Sequence, residues 1–282
     1  MSIVVYQDVA TAIIPTGDLA VDVRNALGAS LRSMRYPTSD FAGLYQDAAG
    51  TTPVTAVGQP VGLMLDRRFG LARGPEIFPS DGDWTPVAAA TATWQGGVLS
   101  TISKQFTYDH AERTISVQAG TWYEFKVSKP AEATYQVFSL GINAPNAGAY
   151  GQNHTSTRVV FYSTGATLFI RVGTIVNTVG TPTTWSDFSL REIPGNHASQ
   201  PTTTARPTLR SGPLRIDYDG VDDYLRTVFP ALGNNATIAR SIPGVGAQIL
   251  AGQTIAAGNW DDNVNSCATL VIDRALTGPE TA

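Results

Sequence analysis

Residues 121–128 read TWYEFKVS, and this stretch alternates between two sets of side chains. One set is Tyr123, Phe125 and Val127, and the other is Trp122, Glu124 and Lys126. Alternation with a period of two is typical of a β-strand with one buried face. We therefore expect a half-buried strand, with either the Trp122 face or the Tyr123 face exposed or turned toward a partner.

The neighbouring segments repeat this pattern. Residues 133–140 (ATYQVFSL) and 166–172 (ATLFIRV) alternate in the same way. Residues 158–162 (RVVFY) are expected to pair with 166–172 through the three-residue loop Ser163–Gly165, which has glycine where a left-handed residue is wanted. Short strands without a helical pattern between them predict an antiparallel sandwich.

A second strand pair is expected near the C-terminal end. Residues 214–219 (LRIDYD) alternate, with Leu214, Ile216 and Tyr218 on the expected inner face. Gly220 and the following aspartates suggest a turn, and residues 224–228 would return as the next strand of a hairpin.

The N-terminal region reads differently. Residues 3–6 form a short strand-like run, and apolar residues from Val23 to Leu31 have helical spacing. We expect an N-terminal arm that docks the protein to a neighbour, with a simple N-terminal strand of the following domain as the alternative.

Two distant stretches carry a family resemblance. Residues 44–66 (LYQDAAGTTPVTAVGQPVGLMLD) and 195–225 (GNHASQPTTTARPTLRSGPLRIDYDGVDDYL) resemble consecutive pieces of the laminin-G-like (concanavalin-like) sandwich of bacteriophage and prophage virion proteins. In that family the LMLD segment runs almost directly into the GNHA segment, whereas here about 130 residues separate them. Residues 270–281 (LVIDRALTGPET) look like the family's closing strand. Only about 50 residues lie between the DGVDDYL segment and that strand, so we expect an abbreviated sandwich whose missing strands a partner chain supplies.

The intervening segment resembles a different family. Its GPEI start, its GTWYEFKV strand and its closing WSDFSLREI look like a galactose-binding-like jelly roll of the carbohydrate-binding-module type. That resemblance implies a β-sandwich that often binds sugars at its loops or on one concave face.

The expected fold class is all-β, with an antiparallel jelly-roll sandwich inserted into a second, abbreviated laminin-G-like sandwich. The expected boundaries are residues 1–38 for the N-terminal arm, 39–73 and 194–282 for the discontinuous laminin-G-like sandwich, and 74–193 for the inserted jelly roll.

Composition excludes several partners. Only 15% of the 282 residues are charged, against a typical ~25%, which suits a surface that packs against neighbouring proteins. The net charge is −4 without a basic run, so we expect no nucleic-acid partner. No apolar run is long enough for membrane insertion, and we find no secretory signal. The expected location is the virion, assembled in the host cytoplasm and released by lysis.

Aromatic residues are the candidate ligands for sugars, because flat rings stack on the apolar faces of pyranoses. The candidate glycan-binding residues are Trp122, Trp185, Trp94, Tyr150 and Asn153. The loop of residues 143–154 (NAPNAGAYGQNH) is the expected rim of such a site. For any one tryptophan, core packing is the competing explanation.

We expect no metal, no cofactor and no enzymatic activity. The weak calcium candidates are Asp217, Asp219, Asp222 and Asp223, but their spacing fails the EF-hand pattern. Cys267 has no second cysteine to pair with in this chain, and the histidines (His110, His154 and His197) lie far apart in sequence. No nucleophile stands out beside a base.

The sequence thus predicts a structural phage virion protein. A tail-fibre or tail-tip protein that displays a glycan-binding module for host adsorption is the first hypothesis. A capsid decoration or head-fibre protein and a bacterial surface adhesin are the alternatives. The expected partners are other virion proteins of the tail or capsid, host cell-surface glycans and further copies of the chain in a homo-oligomer, with a trimer by analogy.

Overall fold

A computed structural model of the chain describes residue 23 and residues 25–87, 91–102, 110–128, 136–144, 157–174, 180 and 182–277. The described residues form many short antiparallel strands and very little helix, so the prediction of an all-β chain is confirmed. The strand-like run at residues 3–6 lies outside the described residues. No helix in the described ranges is long and apolar enough to cross a membrane.

The chain divides into two compact units. One combines the described residues up to Ala72 with those from Pro194 onward, and we call it the split unit. The other is the continuous segment Arg73–Ile193, and we call it the inserted unit.

The described residues of the inserted unit form nine strands in two sheets. Its strands are β4 (Thr85–Val87), β5 (Thr91–Gln95), β6 (Val98–Ile102), β7 (His110–Ser116), β8 (Thr121–Ser128), β9 (Gln136–Ile142), β10 (Arg158–Ser163), β11 (Thr167–Thr174) and β12 (Pro182–Ile193). The sheet orders are β10-β8-β12-β6-β5 and β4-β7-β11-β9. Alternate residues of β7 are buried, whereas residues 122–125 of β8 and 159–161 of β10 are buried in continuous runs. Strands such as β8 are therefore covered on both faces.

The split unit contains eleven described strands. They are β1 (Leu31–Arg35), β2 (Leu44–Tyr45), β3 (Leu63–Met64), β13 (Ala198–Ser199), β14 (Thr208–Arg210), β15 (Arg215–Asp217), β16 (Leu225–Phe229), β17 (Gly233–Ile242), β18 (Gly246–Ile255), β19 (Gly258–Asp262) and β20 (Ala268–Ile272). The orders are β1-β20-β17-β18, β19-β16-β13-β3-β2 and the pair β14-β15. Phe229 of one large sheet packs with Ile238 and Val271 of the other, so these two sheets face each other. Both are built from strands of this chain, and the residues after Leu225 supply β17 to β20.

Val23 and residues 25–27 are helical, a short 3-10 turn follows at Gly28–Ser30, and β1 begins at Leu31. The helix therefore ends before Leu31, although the helical spacing of apolar residues in the sequence extends to Leu31. Val23 and Leu27 pack against Leu31, Met34 and Ile272. Strand β1 lies in the sheet beside β20, as in the alternative of a simple N-terminal strand.

Two predicted hairpins are wrong. Strand β10 pairs with β8, whereas β11 pairs with β7 and β9 in the other sheet. Likewise β15 pairs with β14, whereas β16 pairs with β13 and β19. In both cases the chain crosses to another sheet instead of turning back on itself. The burial pattern was nevertheless predicted, because Ile216 and Tyr218 lie in a core cluster with Leu214 packed against it.

The two stretches that resemble the laminin-G-like family meet in the split unit. Strand β3 pairs with β13, so that Met64 lies opposite Ala198 and Leu63 opposite Ser199. Asp66, which ends the LMLD segment, is 1% exposed, and His197 of the GNHA segment is completely buried. The insertion thus leaves these segments adjacent in space.

Candidate functional site

Two of the predicted glycan ligands are buried. Trp185 is 0% exposed and Trp122 is 7% exposed. The Trp122 ring packs against Tyr162 with 5.5 Å between ring centroids, and Ile193 lies opposite it on the adjacent strand. Both faces of β8 are therefore covered around Trp122. This corrects the expectation that one face would be open, and neither ring offers a surface to a sugar.

Tyr150 and Asn153 lie outside the described residues. Of the predicted rim loop, only Asn143 and Ala144 are described. The Asn143 side chain accepts a hydrogen bond from the main-chain N–H of Ala166 at 3.2 Å. The Asn143 side chain therefore holds the backbone at the start of β11.

Trp94 is the remaining candidate, and it is half-buried. It lies on β5, the outermost strand of its sheet. Its ring contacts Phe78, Trp84 and Phe188, with centroid distances of 6.2, 6.3 and 5.5 Å. We call these four residues the aromatic cluster. Phe78 and Trp84 are buried, whereas Phe188 is half-buried like Trp94.

A strand irregularity supplies Phe188. The register of β12 against β8 shifts between Ser186 and Ser189, and Asp187 has a positive φ of 52°. Bulges of this kind redirect side chains. The Phe188 ring stacks on Phe78 at 5.1 Å with an interplanar angle of 20°.

Two side chains hold the exposed loop of residues 80–83 against the aromatic cluster. Trp94 Nε1 donates to the carbonyl of Ser80 at 3.2 Å, and Arg113 Nη2 donates to the carbonyl of Asp81. Gly82 has a φ of +105°, and a Cβ there would lie 2.8 Å from Arg113 Nη2. Glycine is thus favoured by the backbone conformation, and a larger residue would also have to displace the end of the Arg113 side chain.

Arg113 gives the site a positive charge beneath two exposed carboxylates. Its guanidinium lies 5.1 Å from the centroid of Phe78 and 5.5 Å from that of Trp94, which is cation–π range. Burial lowers the pKa of Arg113, while Asp81 and Asp83 oppose that shift. An arginine remains charged at neutral pH under such conditions. The site therefore combines a half-buried indole, a fixed cation and exposed hydrogen-bond acceptors.

Sequence reasoning found Trp94 but missed Phe78, Phe188 and Arg113. Residues 70–83 are rich in glycine, proline and other turn formers, a composition typical of a linker. Phe78 within that segment and Trp84 directly after it were the available signal. The contribution of Phe188 depends on an irregularity in strand pairing that no local pattern indicates.

A second polar site in the inserted unit surrounds Glu124, whose side chain is 3% exposed. Its carboxylate lies 3.2 Å from Arg73 Nη2, 2.6 Å from Arg158 Nε and 3.0 Å from Lys126 Nζ. Burial alone would raise the pKa of Glu124, but these three cations and their hydrogen bonds lower it to about 2. The carboxylate is therefore ionised, and we interpret this group as a structural ion network.

An acidic group at the β15–β16 connection could hold a metal ion. Within the described residues, carboxylate oxygens of Asp219, Asp222 and Asp223 lie within 4.8 Å of one another. Asp219 Oδ1 accepts the main-chain N–H groups of Val221, Asp222 and Asp223 at 2.8, 3.2 and 3.3 Å. These bonds lower the pKa of Asp219. They account for Asp219 as a turn residue without a cation.

The fourth calcium candidate is separate from that group. Asp217 pairs with Arg215 at 3.1 Å and with Arg210 at 3.6 Å.

Cys267 is buried and not in a disulfide, and burial raises the pKa of its thiol. His154 lies outside the described residues, while His110 and His197 belong to different units.

No protein-family model matches this sequence, and no curated protein matches it.

Proposed function

We propose that the inserted unit binds carbohydrate at the aromatic cluster. We further propose that the chain is a structural component of a phage virion, of tail-fibre or tail-tip type, which uses this site for host adsorption. The observation that carries the binding proposal is the half-buried Trp94 ring at a sheet edge, supported by three other aromatic rings.

The chemistry of the cluster suits a sugar. A tryptophan ring can stack on the apolar face of a pyranose while its N–H is engaged elsewhere, and here that N–H is bound to Ser80. The exposed carboxylates of Asp81 and Asp83 can accept hydrogen bonds from sugar hydroxyls. Ring packing and the loop contacts fix Trp94 before a ligand arrives, which limits the entropy lost on binding.

The proposed mechanism of adsorption is multivalent. A single shallow site of this kind binds weakly, on the order of millimolar affinity, and many copies on one particle raise the avidity by about 10²–10⁴. This part of the proposal requires the homo-oligomer, with a trimer as the working hypothesis.

The test is a glycan array probed with the full-length chain, presented on beads for avidity. Saturable binding should disappear in the Trp94→Ala variant and should decrease in Trp94→Phe. Trp260→Ala is the matched control, because Trp260 is also half-buried but lies in the split unit. Near-ultraviolet circular dichroism should show that each variant is folded.

A folded chain that binds no glycan would favour a capsid decoration or head-fibre role. The edge strand β18 is relevant to that alternative, because residues 246–255 (GAQILAGQTI) contain no charged residue or proline. Edge strands usually carry such residues to prevent pairing with other chains. Copies of the chain or a virion neighbour would then cover this edge, and binding to purified capsids would support that role.

A further inference from the structure

A buried ionic cluster joins the two facing sheets of the split unit. Arg35 of β1 and Arg240 of β17 belong to one sheet, and Asp262 of β19 belongs to the other. These residues are 3%, 8% and 2% exposed. Arg240 Nη2 donates to Asp262 Oδ1 at 2.9 Å, and Arg35 Nη1 donates to Thr227 Oγ1 of the second sheet at 2.7 Å.

The charges in this cluster do not balance. Two guanidinium groups are permanently protonated, and Asp262 is the one carboxylate within the described residues that forms ion pairs with them. Arg35 Nη2 is 3.7 Å from Asp262 Oδ2, which is beyond hydrogen-bonding distance. Burial raises the pKa of Tyr218 well above its usual value, so the neighbouring phenol supplies no negative charge. The cluster therefore carries one surplus positive charge in the sandwich interior.

The Trp260 ring compensates for only part of that surplus. The guanidinium carbons of Arg35 and Arg240 lie 5.2 and 5.9 Å from its centroid. A cation–π contact offsets only a small part of the cost of an uncompensated buried charge. The protein interior thus favours an additional negative group at this position.

Unused hydrogen-bond donors lie in the same place. Within the described residues, Arg35 Nε, Arg35 Nη2 and Arg240 Nε are buried and have no acceptor. Arg35 lines a small cavity together with Tyr218, Asp262, Ser266 and Thr269, and this cavity has room for a single small occupant. The hydroxyls of Ser266 and Thr269 are 3.1 Å apart, and either can donate.

We propose that this cavity binds a small monovalent anion of the halide class, chloride under ordinary conditions, with Arg35 as its main ligand. Water could satisfy the unused donors but would leave the surplus charge in place. A halide ion accepts hydrogen bonds from the unused donors and also neutralises the surplus charge. Asp262 also lines the cavity, but Arg240 binds its carboxylate, and the two guanidinium groups outweigh its single negative charge. The site would stabilise the sandwich by neutralising a cluster that joins its two sheets.

Halide replacement in the full-length chain tests this proposal. Thermal unfolding would be compared in sodium chloride, sodium bromide and sodium gluconate at constant ionic strength, because gluconate is too large for the cavity. A stabilising anion should raise the melting temperature in chloride and bromide. Above the dissociation constant, each tenfold increase in chloride should lower the unfolding equilibrium constant almost tenfold.

A crystal grown in bromide gives the direct measurement. An anomalous peak within about 3.5 Å of Arg35 Nε or Nη2 supports the site. A bromide peak found only elsewhere would indicate an adventitious ion only and would overturn the proposal. A water molecule at this position would overturn it as well. Equal melting temperatures in chloride and gluconate would also overturn it.

Arg35→Met removes the surplus charge and should abolish the chloride dependence. Arg226→Met is the matched control, since Arg226 forms a surface ion pair with Asp261 in the same unit, and it should retain that dependence. If Arg35→Met fails to fold, the bromide crystal of the unmodified chain still decides the question.

Discussion

The main-chain N–H of Asp66 donates a hydrogen bond to Nδ1 of His197 at 2.8 Å, although 131 residues separate them in sequence. His197 therefore carries its proton on Nε2 in this arrangement. The Asp66 carboxylate accepts main-chain N–H groups of Met34, Arg68 and Asn196 at 2.9–3.0 Å. Burial raises the pKa of Asp66, and these three donors oppose that shift. The two residues thus fasten both ends of the insertion and strand β1 at one buried point.

Replacing His197 with alanine should destabilise the protein. The buried N–H of Asp66 would lose its acceptor, which costs about 1–3 kcal/mol, and the lost ring would leave a cavity. Urea unfolding of the full-length chain measures the change. Ser199→Ala, two residues away and half-buried, serves as the control. A loss below about 0.5 kcal/mol for His197→Ala would show that water or another group replaces the acceptor.

Gly195 should tolerate alanine less well than other glycines of positive φ. Its φ is +131°, and a Cβ would lie 2.9 Å from the Asp66 Cβ and 3.1 Å from His197 Cε1. Gly220 has a φ of +77° with open space around it, so Gly220→Ala measures backbone strain alone, about 1–2 kcal/mol. Gly195→Ala should exceed that value by at least about 1 kcal/mol, as measured by urea unfolding. Equal losses in the two variants would contradict the close approach.

Glu124 should make stability decrease in acid. Its pKa is lowered to about 2 in the folded protein, below the ordinary value of 4.5. The stabilisation is therefore present above about pH 4.5 and is lost as the pH falls toward 2. Urea unfolding between pH 2 and pH 7 should show this decrease, and Glu124→Gln should flatten it while lowering stability at pH 7. Asp261→Asn removes a surface pair worth at most about 1 kcal/mol and should keep the acid slope. An unchanged slope in Glu124→Gln would assign the acid sensitivity to other carboxylates.

Replacing Trp185 with alanine should lower the free energy of unfolding far more than replacing Trp94 with alanine. Trp185 is completely buried, so Trp185→Ala should cost about 3–5 kcal/mol. Trp94 is half-buried at a sheet edge, and Trp94→Ala should cost less than half as much. Thermal or urea unfolding of both variants provides the comparison. A larger loss for Trp94→Ala would make the aromatic cluster a core element and would weaken its assignment as a binding surface.

Asp219 should act as a turn cap. Asp219→Ala removes the acceptor of three main-chain N–H groups and should lower the urea midpoint of unfolding, as the loss of other side-chain caps does. Asp219→Asn keeps an oxygen acceptor and should lose much less. Both values follow from urea unfolding in the presence of a chelator. Equal losses would indicate that charge, and not the hydrogen bonds, matters at this turn.

Local patterns predicted which segments are strands and, for residues 214–218, which side chains face inward. There the alternation placed Ile216 and Tyr218 on the inner face, and both are buried, at 3% and 7% exposed. The alternation in residues 121–128 predicted a half-buried strand, but residues 122–125 are all buried. A period of two sets these directions regardless of which strand lies alongside. Strand partners were predicted poorly for the same reason. One face of β11 can be buried equally well if the strand pairs with β10 or if it crosses to the opposite sheet.

The sequence by itself determined that the chain is all-β, because the alternation that marks a strand follows from residue spacing along the chain. Only the tertiary structure decided which tryptophan is accessible. Trp94, Leu99 and Trp185 form one row across β5, β6 and β12, so they share a face of the sheet. Trp185 lies in an interior strand and is covered from both sides, whereas Trp94 lies on the edge strand and is covered from one. That difference depends on strand order, which long-range packing sets and no local pattern encodes.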